Sequence, residues 1–123
     1  MTVNRIDRDF YINQVHPSPL PTLLCFYRSC MSHTDTAVSI EELSRQFDTV
    51  RFCIAQEEDF DFFFDQFHFL GTPIFIFIAN GMEQGRLLGS VSTDRLRAFI
   101  QNNIDKLVMG ANSSMPGKRE PWS

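Results

Sequence analysis

Cys30 and His33 stand three residues apart in the segment Cys30-Met31-Ser32-His33, a nucleophile beside an acid–base group. The thiolate, not the thiol, is the reactive form of cysteine. A helical pattern begins at residue 31, which puts Cys30 at a helix N-terminus. Unpaired backbone N–H groups and the positive end of the dipole favour the thiolate there. Arg28 lies nearby in sequence and adds positive charge. An exposed Cys30 thiolate can attack a disulfide or a glutathione adduct and form a mixed disulfide. His33 can hydrogen-bond that thiolate, or serve as base toward an incoming thiol such as glutathione.

The other cysteines read differently. Cys25 falls in the apolar segment Thr22 to Tyr27 and Cys53 in Val50 to Ala55, both β-prone. A mid-strand cysteine acts as a small buried hydrophobe, so a resolving role for Cys25 is the weaker reading. Three widely spaced cysteines suit reduced thiols better than a disulfide framework. The first twenty residues carry Arg5, Asp7, Arg8 and Asp9 and lack the apolar core of a secretory signal, so a cytoplasmic location is expected. Cys30 and His33, even with His68, supply too few ligands for structural zinc, and no metal is expected. His16 and His68 read as loop or helix-end residues without chemistry.

These groups must be positioned by a chain of 123 residues, a length suited to one core. Apolar residues make up 43%, and most of the thirteen phenylalanines fall between Phe47 and Phe77. That stretch should supply much of the interior. A net charge of −4, without a basic stripe, argues against a nucleic-acid partner. No apolar run approaches membrane-spanning length, so no membrane role is expected.

The pattern predicts a helix over residues 8–15, a proline-punctuated connector from His16 to Pro21, and a strand from Thr22. Residues 31–47 place Ala37, Ile40, Leu43 and Phe47 at helical spacing. A strand follows over residues 50–55. Residues 57–67 read as an amphipathic helix, with Phe60 and Phe64 four apart on a broad apolar face. Its acids read as a solvated face rather than a docking surface. Gly71-Thr72-Pro73, then Ile74 to Ile78, then Asn80-Gly81 reads as a buried central strand closed by a hairpin turn. Proline cannot donate to a ladder in mid-strand, so Pro73 marks where that strand begins. The Thr72-Pro73 bond is a candidate cis bond. Residues 84–89 form the hairpin partner. A final helix over 93–104 turns Leu96, Phe99, Ile100 and Ile104 to one side. Residues 1–109 form one domain, and 110–123 read as a flexible tail.

The run from Phe69-Leu70-Gly71-Thr72-Pro73 through Asn80-Gly81 and Gly89 to the helix Leu96 to Ile104, with Cys30 upstream, resembles the thioredoxin superfamily. The resemblance covers roughly residues 8–105. It implies an α/β thioredoxin fold, a central mixed sheet with helices on both faces. It implies that Cys30 occupies the position of the first, nucleophilic cysteine of the CxxC motif and that His33 replaces the second. Ser29 stands where the family has tryptophan, one residue is missing between Phe26 and Cys30, and Cys25 occupies the place of a buried acid. In this fold the residue before the cis proline offers its backbone N–H and C=O to an extended substrate, a role that falls to Thr72. Met31, Thr72, Pro73 and Ser90 would form the binding face.

Two functions follow. One is monothiol thiol–disulfide or glutathione-linked exchange through Cys30, on a protein or small thiol, with no cofactor beyond glutathione as co-substrate. The other is a redox-inactive thioredoxin-fold module that binds a polypeptide, as a chaperone or assembly factor.

Overall fold

The computed structural model describes residues 3–27, 35–69, 71–89 and 91–113. Cys30, Met31, His33 and Ser90 lie outside the described residues. β1 (Val3–Ile6) leads into α1 (Arg8–Phe10), which continues as a π-helical turn over Tyr11–Val15. Then come β2 (Thr22–Phe26), α2 (Asp35–Gln46) and β3 (Arg51–Ala55). A 3-10 turn (Glu57–Asp59) opens α3 (Phe60–Phe67). The hairpin β4 (Ile74–Ala79) and β5 (Met82–Leu88) precedes α4 (Thr93–Ser113).

Among the described residues, five strands form one sheet in the order β1-β3-β2-β4-β5. β1, β3 and β2 run parallel, and β4 and β5 are antiparallel to their neighbours. A mixed sheet of this kind needs both faces covered, and the side-chain alternation of β4 shows how. Ile74, Ile76 and Ile78 pack with Leu24, Phe26, Cys53, Tyr11 and the phenylalanines of α3. Phe75 and Phe77 point the other way, into Leu23, Cys25, Phe52, Ile40, Leu43, Leu96 and Ile100. All six residues of β4 are buried, which is why this strand reads as a continuous apolar run.

The hairpin turn has Asn80 at φ 56° and Gly81 at φ 76°. Two successive positive φ values match the right-handed twist of the strands, and Asn-Gly adopts them readily. A side chain at Gly81 would also strike the carbonyl of His16, since a Cβ there would lie 2.5 Å from that oxygen. The connector over residues 16–21 is thus held against the hairpin.

Three details depart from the sequence pattern. The buried stripe of α3 is Phe60, Phe63 and Phe67, while Phe64 is 44% exposed. An eight-residue helix presents one stripe to the sheet, and a step of four from Phe60 carries Phe64 past its edge. Phe64 instead meets the ring of Phe69 edge-on at 5.7 Å. The hairpin partner starts at Met82, because the tight turn needs only Asn80 and Gly81. α4 runs to Ser113, so residues 110–113, assigned to the tail by sequence, are helical. Gly110 alone costs a helix only about 1 kcal/mol relative to alanine, too little to end it. Among the described residues no helix is long and apolar enough to cross a membrane.

Candidate functional site

The C-terminal ends of β1, β3 and β2 meet the start of β4 at one end of the sheet. Ile6 pairs with Ala55, and Phe26 pairs with Ile74. One step beyond these pairs lie Tyr27, where the connection to α2 begins, and Pro73, where β4 begins. The Thr72–Pro73 peptide bond is cis. Thr72 is half-buried and Pro73 is buried. The carbonyl of Pro73 accepts from the N–H of Gly89 at 2.8 Å, and Gly89 has φ 96°. Tyr27, Thr72, Pro73 and Gly89 therefore frame the end of the sheet at which the β2–α2 connection leaves.

The segment before Thr72 is tied down from two sides. Phe69 is buried, with its ring centroid 4.8 Å from that of Phe26. Arg86, on β5, reaches back to the C-terminus of α3. One of its terminal nitrogens, Nη2, donates to the Phe67 carbonyl at 2.6 Å, and Nη1 donates to the His68 carbonyl at 3.3 Å. Helix C-termini leave carbonyls without intrahelical partners, and the guanidinium meets this need. Glu83 holds the same guanidinium through Nε at 2.6 Å and Nη2 at 2.7 Å. The hydrogen bonds that Arg86 donates to Glu83 raise the Arg86 pKa further.

The two described thiols are sealed in the core. Cys25 and Cys53 are each 0% exposed. Their side chains lie on opposite faces of the sheet, Cys25 toward α2 and α4, Cys53 toward α1 and α3. Burial pushes the Cys25 thiol well above its ordinary pKa, and the nearby Cys53 adds to the effect. Burial pushes Cys53 up to about 12, against a smaller opposing pull from Arg51. Both are the small buried hydrophobes that their mid-strand positions predict.

The expected contact of Cys30, Met31 and His33 with Thr72 and Pro73 involves residues outside the described set. Among the described residues, no three His, Cys, Asp or Glu side chains come together as metal ligands. Sequence reasoning passed over Arg86. A cation three residues from Glu83 reads as an ordinary exposed pair, and the carbonyls it caps belong to residues far away in sequence.

Neither a scan against family models nor a search of curated protein sequences gives a match. Solved structures do match. Thioredoxin from Trypanosoma brucei brucei superposes with a TM-score of 0.72 at 18% identity, covering 85% of this chain and 92% of that one. Spinach chloroplast thioredoxin f, in its long form, gives 0.71 at 20% identity over 84% of this chain and 87% of that one. A cysteine-to-serine mutant of Entamoeba histolytica thioredoxin gives 0.66 at 17% identity over 85% and 99%. The strand order, the two helical layers and these superpositions agree that the chain has a thioredoxin-like fold.

Proposed function

We propose that this protein carries out monothiol thiol–disulfide exchange, with Cys30 as the nucleophile and glutathione as the second thiol. The observation that carries this reading is the burial of the other two thiols. Cys25 and Cys53 are enclosed on opposite faces of the sheet with raised pKa values, so thiol chemistry falls to Cys30. The Cys30 thiolate attacks one sulfur of a disulfide. That S–S bond breaks, a mixed disulfide forms on Cys30, and the other sulfur leaves as a thiolate that takes a proton. A glutathione thiol, deprotonated with help from His33, then attacks the mixed disulfide. This frees the Cys30 thiolate and carries the substrate sulfur away. Thr72 receives the substrate chain through its backbone N–H and C=O, with Pro73 and Met31 lining the same face. A cytoplasmic location, where glutathione is reduced, fits this chemistry.

Mass spectrometry after brief exposure to oxidised glutathione near neutral pH tests the proposal. Cys30 should be modified before Cys25 or Cys53, and the adduct should persist without added thiol. Alkylation of Cys30 should titrate below the free value of about 8.5. Insulin-type disulfide reduction should be weak, and His33→Cys should raise it, because residues three apart on a helix are neighbours. A Cys30 that stays unmodified, or reacts only at alkaline pH, removes the redox reading. The half-buried Thr72 before the cis proline supports the second reading, a polypeptide-binding module that needs no thiol at all.

A further inference from the structure

A cavity of about 400 Å³ lies between α2 and the face of the sheet formed by β1, β3 and β2. That volume is at the small end of ligand sites, which run to about 300–1,000 Å³. Its apolar lining comes from Val3, Ile40 and Ile54. Three polar groups converge on it: Arg5 from β1, Tyr27 at the end of β2 and Glu41 from α2.

The state of these three groups suggests a ligand. Tyr27 is only 4% exposed as a residue, and it lines the cavity. Its hydroxyl is not among the sealed, unpartnered polar atoms, so it opens onto the cavity, where water or a ligand can meet it. Burial holds the phenol protonated, with Cys25 adding to that, Arg5 opposing it and Glu41 supporting it. Tyr27 therefore presents a donor to the cavity. Arg5 has no ion pair among the described residues. Glu41 has only a loose pair with Arg45 at 3.9 Å, both side chains well exposed. A simple anion would face Glu41 at close quarters, and a simple cation would leave Arg5 and the phenol unmet. A ligand carrying both charges, with an apolar remainder, satisfies all of them.

We propose that this cavity binds a free α-amino acid with an aliphatic side chain. Its carboxylate accepts from the Tyr27 hydroxyl and pairs with Arg5. Its ammonium pairs with Glu41, and its side chain rests on Val3, Ile40 and Ile54. This site uses none of the residues assigned to thiol exchange, so the two proposals stand or fall separately.

The test is an amide-resolved NMR titration of the full chain with L-leucine. Saturable shifts are expected at Val3, Arg5, Tyr27 and Glu41. Tyr27→Phe keeps the ring and should weaken binding by about fivefold or more, the worth of one hydrogen bond. Arg5→Gln and Glu41→Gln, on exposed side chains, should each weaken it by roughly tenfold, as loss of a charge-assisted contact does. Two analogues separate zwitterion recognition from mere apolar filling: 4-methylpentanoate lacks the ammonium and 3-methylbutylamine lacks the carboxylate. Each should bind at least about tenfold more weakly than leucine. Non-saturating shifts with leucine, equal binding of either analogue, or indifference to both glutamine variants would overturn the proposal.

Discussion

The two faces of the sheet use their aromatic rings differently. On the side of α1 and α3 the rings contact one another. Phe26, Phe63 and Tyr11 interlock with centroid distances of 5.3 Å for Phe26–Phe63 and 5.6 Å for Tyr11–Phe63, both edge-to-face. Such pairs add about 0.5–1.5 kcal/mol each beyond the area they bury. On the side of α2 and α4, Phe52, Phe75 and Phe77 are buried among aliphatic side chains, and polar groups are admitted. Ser44 donates to the Glu41 carbonyl at 2.7 Å, and the hydroxyls of Ser39 and Thr93 hydrogen-bond each other. The amide of Asn103 donates to the Phe99 carbonyl at 2.8 Å and sits against Gly85, where a Cβ would lie 3.0 Å from its oxygen. The Ser39–Thr93 bond joins α2 to the start of α4, and the Asn103–Gly85 contact sets how closely α4 meets β5. The aromatic face holds the segment that delivers Thr72 and Pro73, through Phe69 and Arg86. The other face seats the helix that follows Cys30.

The largest way to break this contrast is at its aromatic centre. Phe63 is fully buried and touches the rings of Tyr11, Phe26 and Phe62. Phe63→Ala should cost about 3–5 kcal/mol in a denaturant melt. Ile40→Ala, fully buried on the opposite face, should cost less, toward the lower end of about 2–5 kcal/mol. An equal or larger loss at Ile40 would mean that the ring network contributes nothing beyond ordinary burial.

The thiols probe both faces at once, one on each. In the folded chain both pKa values are raised, so the folded state keeps its protons longer than the unfolded one. Their contribution to stability is complete below the unfolded value of about 8.5 and declines as pH rises toward the folded value. Between about pH 8.5 and 10, before tyrosines titrate, stability should fall by up to about 1.4 kcal/mol per pH unit for each thiol. Unfolding curves of Cys25→Ala and Cys53→Ala should each show a shallower slope in that window. An unchanged slope in both would mean that the thiols are less enclosed than their burial indicates.

Much of the fold was legible because its strongest signals are local. Ile74 to Ala79 is buried on both sides, and Asn80-Gly81 supplies the turn in the chain itself. Leu96 and Ile100 keep helical spacing and are buried as that spacing predicts, with Phe99 and Ile104 packed beside them. The choice of Phe63 over Phe64 was not legible, because both fit an apolar helix and only the sheet's position selects one stripe. The cap made by Arg86 and the cavity of Arg5, Tyr27 and Glu41 join residues distant in sequence, so spacing carries no trace of them. Of the candidate site, Thr72 and Pro73 sit where the pattern puts them, at the head of β4. Cys30, Met31 and His33 rest on the reading of the motif.

Arg86 sharpens the comparison at the edge of the aromatic face. It binds through its fork geometry, so Arg86→Met keeps the stem and removes the contacts to Phe67, His68 and Glu83. The group is partly solvated, and the loss should be about 1–2 kcal/mol. Because the contacts anchor the segment leading to Thr72, amide shifts should spread through residues 67–73. Confinement of the shifts to β5 would show that the arginine does not position that segment.

The smallest effect has the opposite sign. His68 ends α3 in the left-handed region, with φ 56° and its N–H bonded to the Phe64 carbonyl at 2.7 Å. A residue with a Cβ costs roughly 1–2 kcal/mol in that conformation, and glycine avoids the clash. Glycine also loses more backbone freedom on folding, which returns about 0.5–1 kcal/mol of the gain. The imidazole is exposed, and the His68 N–H bonded to Phe64 and the His68 carbonyl that Arg86 contacts belong to the backbone, so both hydrogen bonds survive the change. His68→Gly should therefore stabilise the chain by about 0.5–1 kcal/mol, read as a higher denaturation midpoint with an unchanged slope. A loss would assign the imidazole a contact of its own. A gain would place the limit on this face in the backbone at the end of α3 rather than in the packing of its rings.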